Sequence, residues 1–416
     1  MNKKRAVGIL LFAIVTIFLF TKGPLSRKLN SRGLKEFNEN HYAVAAKCFS
    51  KAVLLKPRFL EARVNLVKTK LAMGLTGDAE ENMEKLVRRF PRNPETLALK
   101  GRISVIRQDY DKAVKQLTEA IAGDSLLAGA YFYRGIALAN LGMLKEAAND
   151  YLKTERLDKS NTEALRKGAI VYSRLDNFNA AIKNYNMILD LDPDNPQAWL
   201  ERGNFKMKLE DYLGAAADFT TALTLNPGLA EAFYNRGRSL VQEDKFAEAI
   251  PDFQKSADMQ YKSAAAYFYS GMAAYQMKKI MESRRYLEKS LEVDSRMEYS
   301  AKTNHMLGII CMLQQHNREA ITFFNRSVEL DTAFTDAFYN RGIAFGMMEE
   351  YQKAVEDLER SIALGNSSSD VHYALGIQLI SLYRTEEGCR QLARAEELGH
   401  TDAALMRDRY CKQYIK

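Results

Sequence analysis

The stretch PQAWLERGNFKMKLEDYLGAAADFTTALTLNP, Pro196–Pro227, holds two amphipathic segments joined by a short polar turn. In the first, Trp199 and Gly203 are four residues apart. In the second, Ala215, Phe219 and Ala222 follow at steps of four and three. Such steps place side chains on one face of a helix. Pro196 suits a first helical turn, where its missing N–H costs nothing. Pro227 ends the second segment, because proline lacks a donor and disfavours helix in the residue before it. The stretch reads as helix, turn, helix.

The same spacing recurs along the chain. Ala45, Ala79, Ala113, Ala147, Ala181, Ala215 and Ala249 stand 34 residues apart, and Ser283 continues the column. The next step is 37, to Ala320, and 34 returns for Ala354 and Gly388. Twelve residues before this column come Gly33, Gly101, Gly135, Gly203, Gly237, Gly271, Gly308, Gly342 and Gly376, with Val67 and Ala169 in the two remaining places. Four residues after it comes a bulky residue each time, from Phe49 to Leu392. Four of the 8 prolines (Pro57, Pro91, Pro193 and Pro227) share one later column. The three extra residues fall in DSRMEYS, Asp294–Ser300. They explain why AFYNRG at Ala232–Gly237 returns 105 residues later at Ala337–Gly342: three periods plus the insertion.

Trp199, Gly203, Ala215, Phe219, Ala222 and Pro227 resemble the tetratricopeptide repeat (TPR), a 34-residue helix–turn–helix unit. The resemblance implies an all-α fold: a right-handed α-solenoid of about eleven units over residues 26–399, closed by a capping helix in 400–416. It also implies partner binding on the inner surface lined by first helices. The candidates on that face are Phe132, Ile136, Asn204, Tyr234, Arg238, Phe268, Met272, Tyr275, His305, Met312, Tyr339, Ile343 and Tyr373. For each of them, packing between neighbouring helices is the competing reading. A clamp for acidic chaperone C-termini is disfavoured: only Asn204 matches, and Leu200, Tyr234, Phe268 and Tyr339 stand where lysines are needed.

Arg134, Arg202, Arg236 and Arg341 each precede a column glycine, and sixteen residues later stand Asp150, Asp218, Asp252 and Asp357. Repeats without the arginine lack the acid, and Arg32, facing Cys48, is the exception. This covariation within one chain predicts an ion pair between the two helices of a unit. An arginine row that binds an acidic ligand is the alternative.

The net charge of +8 is uneven. Residues 1–91 carry 18 Lys+Arg against 7 Asp+Glu, and the remainder is slightly acidic, so the chain as a whole is not a nucleic-acid binder by charge. Residues 6–21, AVGILLFAIVTIFLFT, are uncharged and flanked by Lys4, Arg5 and Lys22. A helix of that length rises about 24 Å, short of a hydrocarbon core of about 30 Å. Residues 1–25 are expected to form a basic flank and a single transmembrane signal-anchor helix; no A-x-A cleavage site follows, and a cleaved signal stays the alternative. The protein is then expected to be single-pass, with the body extracytoplasmic, or periplasmic in a bacterium; basic residues on both flanks leave the orientation open.

Cys48, Cys311, Cys389 and Cys411 show neither CxxC nor zinc-ligand spacing and read as small buried apolar residues. No P-loop, GxSxG, HExxH or dinucleotide turn is present. The expectation is a scaffold that binds other proteins or peptides, without catalysis, cofactor or metal. A translocation or assembly receptor with a cytosolic body, and a self-assembling structural protein or homo-oligomer, are the alternatives.

Overall fold

Every second helix that precedes a column proline stops two residues before it, at Leu55, Arg89, Leu191 and Leu225. The computed structural model describes residues 22–294 and 299–412. Among these residues there are twenty-three helices and no strand. They divide into two units, Met1–Asp194 and Asn195–Lys416.

The first unit holds α1 (22–38), α2 (Tyr42–Leu55), α3 (Leu60–Ala72), α4 (Thr76–Arg89), α5 (Pro94–Ile106), α6 (Tyr110–Gly123), α7 (Ala128–Asn140), α8 (Leu144–Leu157), α9 (Thr162–Arg174) and α10 (Phe178–Leu191). The second holds α11 (Pro196–Lys208), α12 (Tyr212–Leu225), α13 (Ala230–Gln242), α14 (Phe246–Asp258), α15 (Ser263–Gln276), α16 (Ile280–Val293), α17 (Ser300–Leu313), α18 (Asn317–Leu330), α19 (Thr335–Met347), α20 (Tyr351–Ala363), α21 (Ser369–Ser381), α22 (Thr385–Glu397) and α23 (Ala403–Tyr410). Odd-numbered helices through α21 are the first of a pair and even-numbered helices the second. Residues 295–298, within the expected insertion, lie outside the described residues.

Local chemistry sets the ends of the helices. Pro94 and Pro196 open α5 and α11, and Asn93 and Asn195 accept from the backbone N–H groups of Thr96 and Ala198. Each turn from first to second helix places one residue in the left-handed region. It is glycine only at Gly74 and Gly142; elsewhere it is a residue such as Gln108, Asp176, Lys278 or Tyr383. In the α5–α6 turn, Gln108 N–H donates to Val105 and Asp109 N–H to Ser104, which satisfies the last carbonyls of α5. The opposite turns use short polar side chains: Asp124, Asn226 and Asp331 each accept from the backbone N–H two residues on.

The core lies between the helices of each pair. Ala45, Ala113, Ala215 and Ala354 are fully buried, as are Phe49, Leu117, Phe219 and Leu358. A Cβ at Gly101 would stand 2.4 Å from Leu117, and one at Gly308 would stand 2.5 Å from Phe324. The glycine column is therefore space for the bulky residue of the partner helix. Val67 fits in α3 because Met83, flexible and unbranched, faces it in the same cluster. Serines in the small-residue columns are satisfied: Ser283 Oγ donates to Gly271 O at 2.7 Å, and Ser327 Oγ to Ala301 O at 2.8 Å. α14 continues through Pro251.

The expected membrane placement requires correction. The apolar segment 6–21 lies outside the described residues, and among those described no helix is long and apolar enough to cross a membrane. Helices such as α8 and α18 have 14 residues and one polar face, a rise of about 21 Å. The single-pass assignment and the extracytoplasmic body are not supported.

Candidate functional site

In the second unit a pocket of about 360 Å³ opens on the first-helix face. It is lined by Asn204, Met207, Lys208 and Tyr212 on one side and by Glu231, Asn235, Arg238 and Gln242 on the other. Two expected residues, Asn204 and Arg238, come together here. Asn204 uses both ends of its amide: its nitrogen donates to Glu231 Oε1 at 3.3 Å, and its oxygen accepts from Asn235 Nδ2 at 2.8 Å. Asn235 is buried and so fixes the Asn204 rotamer. Arg238 is exposed. Its guanidinium lies 6.0 Å from the Tyr234 ring centroid, and among the described residues it forms no ion pair. The site therefore offers a held amide, an exposed cation and a carboxylate, with Met207 as an apolar lining residue. The roles of Glu231, Asn235, Lys208, Tyr212 and Gln242 are set by the packing of α11 against α13, which no repeat column carries.

Three expected face residues are core instead. Tyr234 is 2% exposed, Phe268 4% and His305 9%. Tyr234 packs edge-on to Phe253, Tyr261 and Tyr269 at 5.9 to 6.1 Å, and Phe268 packs on Tyr269 and Tyr299. Burial pushes the Tyr234 hydroxyl well above its ordinary pKa, and Tyr299 and Tyr269 add to the shift. His305 lies between Phe324 and Phe334, with Asn340 Nδ2 2.8 Å from its Nε2. Burial holds its imidazole down at about 4, against the weaker upward pull of Asp336.

The other expected residues are half-buried. Phe132 and Ile136 pack beside Tyr151 in the first unit. In the second, Met272 and Tyr275 lie beside Leu307, Met312 beside Cys311, and Tyr339 and Ile343 beside Val371. Tyr373 stacks on His400 at 4.0 Å.

The repeated arginines do not line this pocket. Each holds its aspartate through two hydrogen bonds, Nε and Nη2 to the two carboxylate oxygens. The distances are 2.8 and 2.7 Å for Arg134–Asp150 and for Arg202–Asp218, and 2.7 Å for both bonds in Arg236–Asp252 and Arg341–Asp357. Lys206 Nζ adds a contact of 2.9 Å to Asp218. Each guanidinium also lies over the aromatic ring three residues before it: Tyr131, Trp199, Phe233 or Phe338. A further bond escapes a reading confined to single repeats. Arg134, Arg236 and Arg341 donate Nη1 to Thr118, Thr220 and Asn325, on the second helix of the preceding pair. Burial pushes the Asp252 carboxyl up while Arg236 opposes the shift, and the bond to Asp252 raises the Arg236 guanidinium.

The cysteines divide. Cys48 and Cys311 are free and buried, but Cys389 and Cys411 form a disulfide that fastens the end of α23 to α22. Reading all four as apolar filler misses this pair, because a bridge across 22 residues leaves no spacing signature. At the α1–α2 turn, Glu36, Glu39 and His41 bring three potential ligand atoms within 4.8 Å. They lie on the surface, and His41 Nδ1 is 3.2 Å from Glu36.

The tetratricopeptide-repeat family model matches residues 64–125, 107–162, 166–230 and 234–292, more than half of the chain. A comparison with curated proteins found no match. Among solved structures, the Cut9–Hcn1 hetero-tetramer of APC/C aligns at 14% identity and TM-score 0.45, covering 96% of this chain and 99% of that one. PilF of Pseudomonas aeruginosa aligns at 19% and 0.44, covering 51% and 96%. YrrB, a TPR protein described as having an unusual peptide-binding site, aligns at 19% and 0.38, covering 49% and 97%. These are distant likenesses of fold. With the paired helices, the 34-residue columns and the family match in agreement, the chain belongs to the tetratricopeptide-repeat family.

Proposed function

We propose that the chain is a non-catalytic scaffold that holds partner proteins through an extended segment laid along the first-helix face. The observation that carries this reading is the pocket of Asn204, Asn235, Glu231 and Arg238. An amide fixed at both ends presents its remaining donor and lone pair to a peptide backbone, and the exposed Arg238 reaches for a partner's acceptors. The TPR fold supports the general role, since its members bind proteins or peptides. Selection of a random peptide library on the full chain tests the reading. The selected peptides should bind Asn204→Ala plus Arg238→Glu about a hundredfold more weakly, the loss of one charge-assisted and one neutral hydrogen bond. Selected peptides that bind wild type and double variant alike would refute it.

A further inference from the structure

The arginine clamp is missing from α5 and α6, and a hollow stands in its place. Where the clamp exists, Arg134, Arg236 and Arg341 hold an aspartate sixteen residues later and a threonine or asparagine sixteen residues earlier. The matching places on α4, α5 and α6 hold Glu84, Lys100 and Gln116. All three line a pocket of about 430 Å³ in the first unit. Other pairs without the clamp put an uncharged residue in the arginine column: Leu66, Gly168, Ser270, Leu307 and Leu375. Arg32, in α1, has Glu36 at 3.8 Å. Only α5 keeps a cation there with no carboxylate to meet it. The pocket shares no repeat column with that of Asn204 and Arg238, so it is a separate site.

The pocket holds donors in excess of its own acceptors. Lys100 is half-buried and Lys112 exposed, and among the described residues neither forms an ion pair. Arg88 is loosely paired, 3.8 Å from Glu84 on its own helix, whereas Arg107 is taken by Glu80. Gln116 is 7% exposed, and its amide oxygen accepts from Ser104 Oγ at 3.0 Å, which leaves its nitrogen to donate to a ligand. Buried Met83 and Ile103 add an apolar wall. Donors on three helices suit a tetrahedral dianion with three acceptor oxygens better than a planar carboxylate, and lysine serves phosphate as a point charge. The carboxylates of Glu80, Glu84 and Asp109 around the pocket repel an anionic lipid surface.

We propose that this pocket binds a small free phosphomonoester, whose phosphate takes the place of the missing aspartate. The phosphate accepts from Lys100, Lys112 and the Gln116 amide, and the organic group packs on Met83 and Ile103. The bound dianion then ties α5 and α6 to α4, as Asp150 and Thr118 do through Arg134. This site is independent of the scaffold reading of the first-helix face.

Equilibrium dialysis of radiolabelled phenyl phosphate against the full chain tests it. The probe should bind at a single saturable site. Inorganic phosphate should compete about tenfold more weakly, for want of the apolar contact, and phenol should not compete. Lys100→Met and Lys112→Met should each weaken binding about tenfold, the worth of one charge-assisted contact. Glu84→Thr with Lys100→Arg and Gln116→Asp builds the clamp of the other repeats into this one. That variant should lose binding while hydrogen exchange shows α4–α6 at least as protected as in wild type. Vesicles of phosphatidylcholine and phosphatidic acid in equal parts should not displace the probe. Absence of saturable binding, wild-type affinity in the triple variant or in both lysine variants, or displacement by the vesicles would overturn the proposal. Lys112 is exposed, so its variant decides the matter even where the triple variant fails to fold.

Discussion

Arg236 and Asp252 are joined by two parallel hydrogen bonds of 2.7 Å, while the same guanidinium donates to Thr220 at 3.2 Å. One side chain on α13 thus ties its own partner α14 to α12 of the preceding pair. In a repeat array, neighbour interfaces carry the cooperativity, and this arginine spans such an interface. The Asp252 side chain is 6% exposed and that of Arg236 23%. The pair therefore behaves as a partly buried one, for which losing a single partner costs more than losing both.

Asp252→Ala should lower the local stability of α13 and α14 by about 2 kcal/mol, because it strands a partly buried guanidinium. Arg236→Leu combined with Asp252→Ala should recover most of that loss, since an apolar pair needs no partner. Hydrogen exchange of amides in α12–α14 measures both. A double variant as unstable as the single would show that the pair is not coupled.

The cap depends on its disulfide. Closing 22 residues between Cys389 and Cys411 removes chain entropy worth about 3 kcal/mol. Reductant, or Cys389→Ser with Cys411→Ser, should accelerate exchange in α22 and α23 and leave α1–α10 unchanged. Uniform exchange rates with and without reductant would count against a structural bridge.

Tyr383 has φ +63° and is 95% exposed. A side chain in the left-handed region is strained, and this one makes little packing to lose. Tyr383→Gly should raise stability by about 0.5–1 kcal/mol. Ala137→Gly, in the interior of α7, should instead lower it. Thermal unfolding of the two variants against wild type gives opposite signs if the turn geometry is right.

His305 links stability to pH. Its folded-state pKa, about 4, lies below the ordinary 6.5. Between these values the unfolded chain binds the proton and the folded chain does not. The contribution of His305 is therefore present above pH 6.5 and is lost as pH falls toward 4, about 3 kcal/mol in all. His305→Gln should flatten this part of the stability profile of α17–α19. The profile of wild type, followed by urea titration from pH 7 to 4, should be the steeper of the two.

The period of the chain was legible because it is written in volume. Gly308 must be small where Phe324 is large, and glycine and bulky residue stand at the same distance in nine of the eleven repeats. The fate of the tyrosine in AFYNRG was not legible, because what covers it belongs to the next repeat. Tyr234 meets Tyr269 and Tyr261 and becomes core. Tyr339, in the same six residues, has Ala374 where Tyr234 has Tyr269 and stays half-buried. The Arg–Asp pairing could be read from covariation at sixteen residues. Thr118, Thr220 and Asn325 lie sixteen residues in the other direction, across a repeat boundary, and two residue types share that place, so no single pairing repeats. Asn204 and Arg238 could be named from their helix positions; Glu231 and Asn235, which shape their pocket, needed the packing of α11 against α13.

The central claim is that partners lie on the first-helix face. Hydrogen exchange of the full chain, with and without a selected peptide ligand, tests it most directly. Binding there should protect α11 and α13, around Asn204 and from Glu231 to Gln242, and Arg238→Glu should remove that protection. Protection confined to the second helices, α12 and α14, would contradict it.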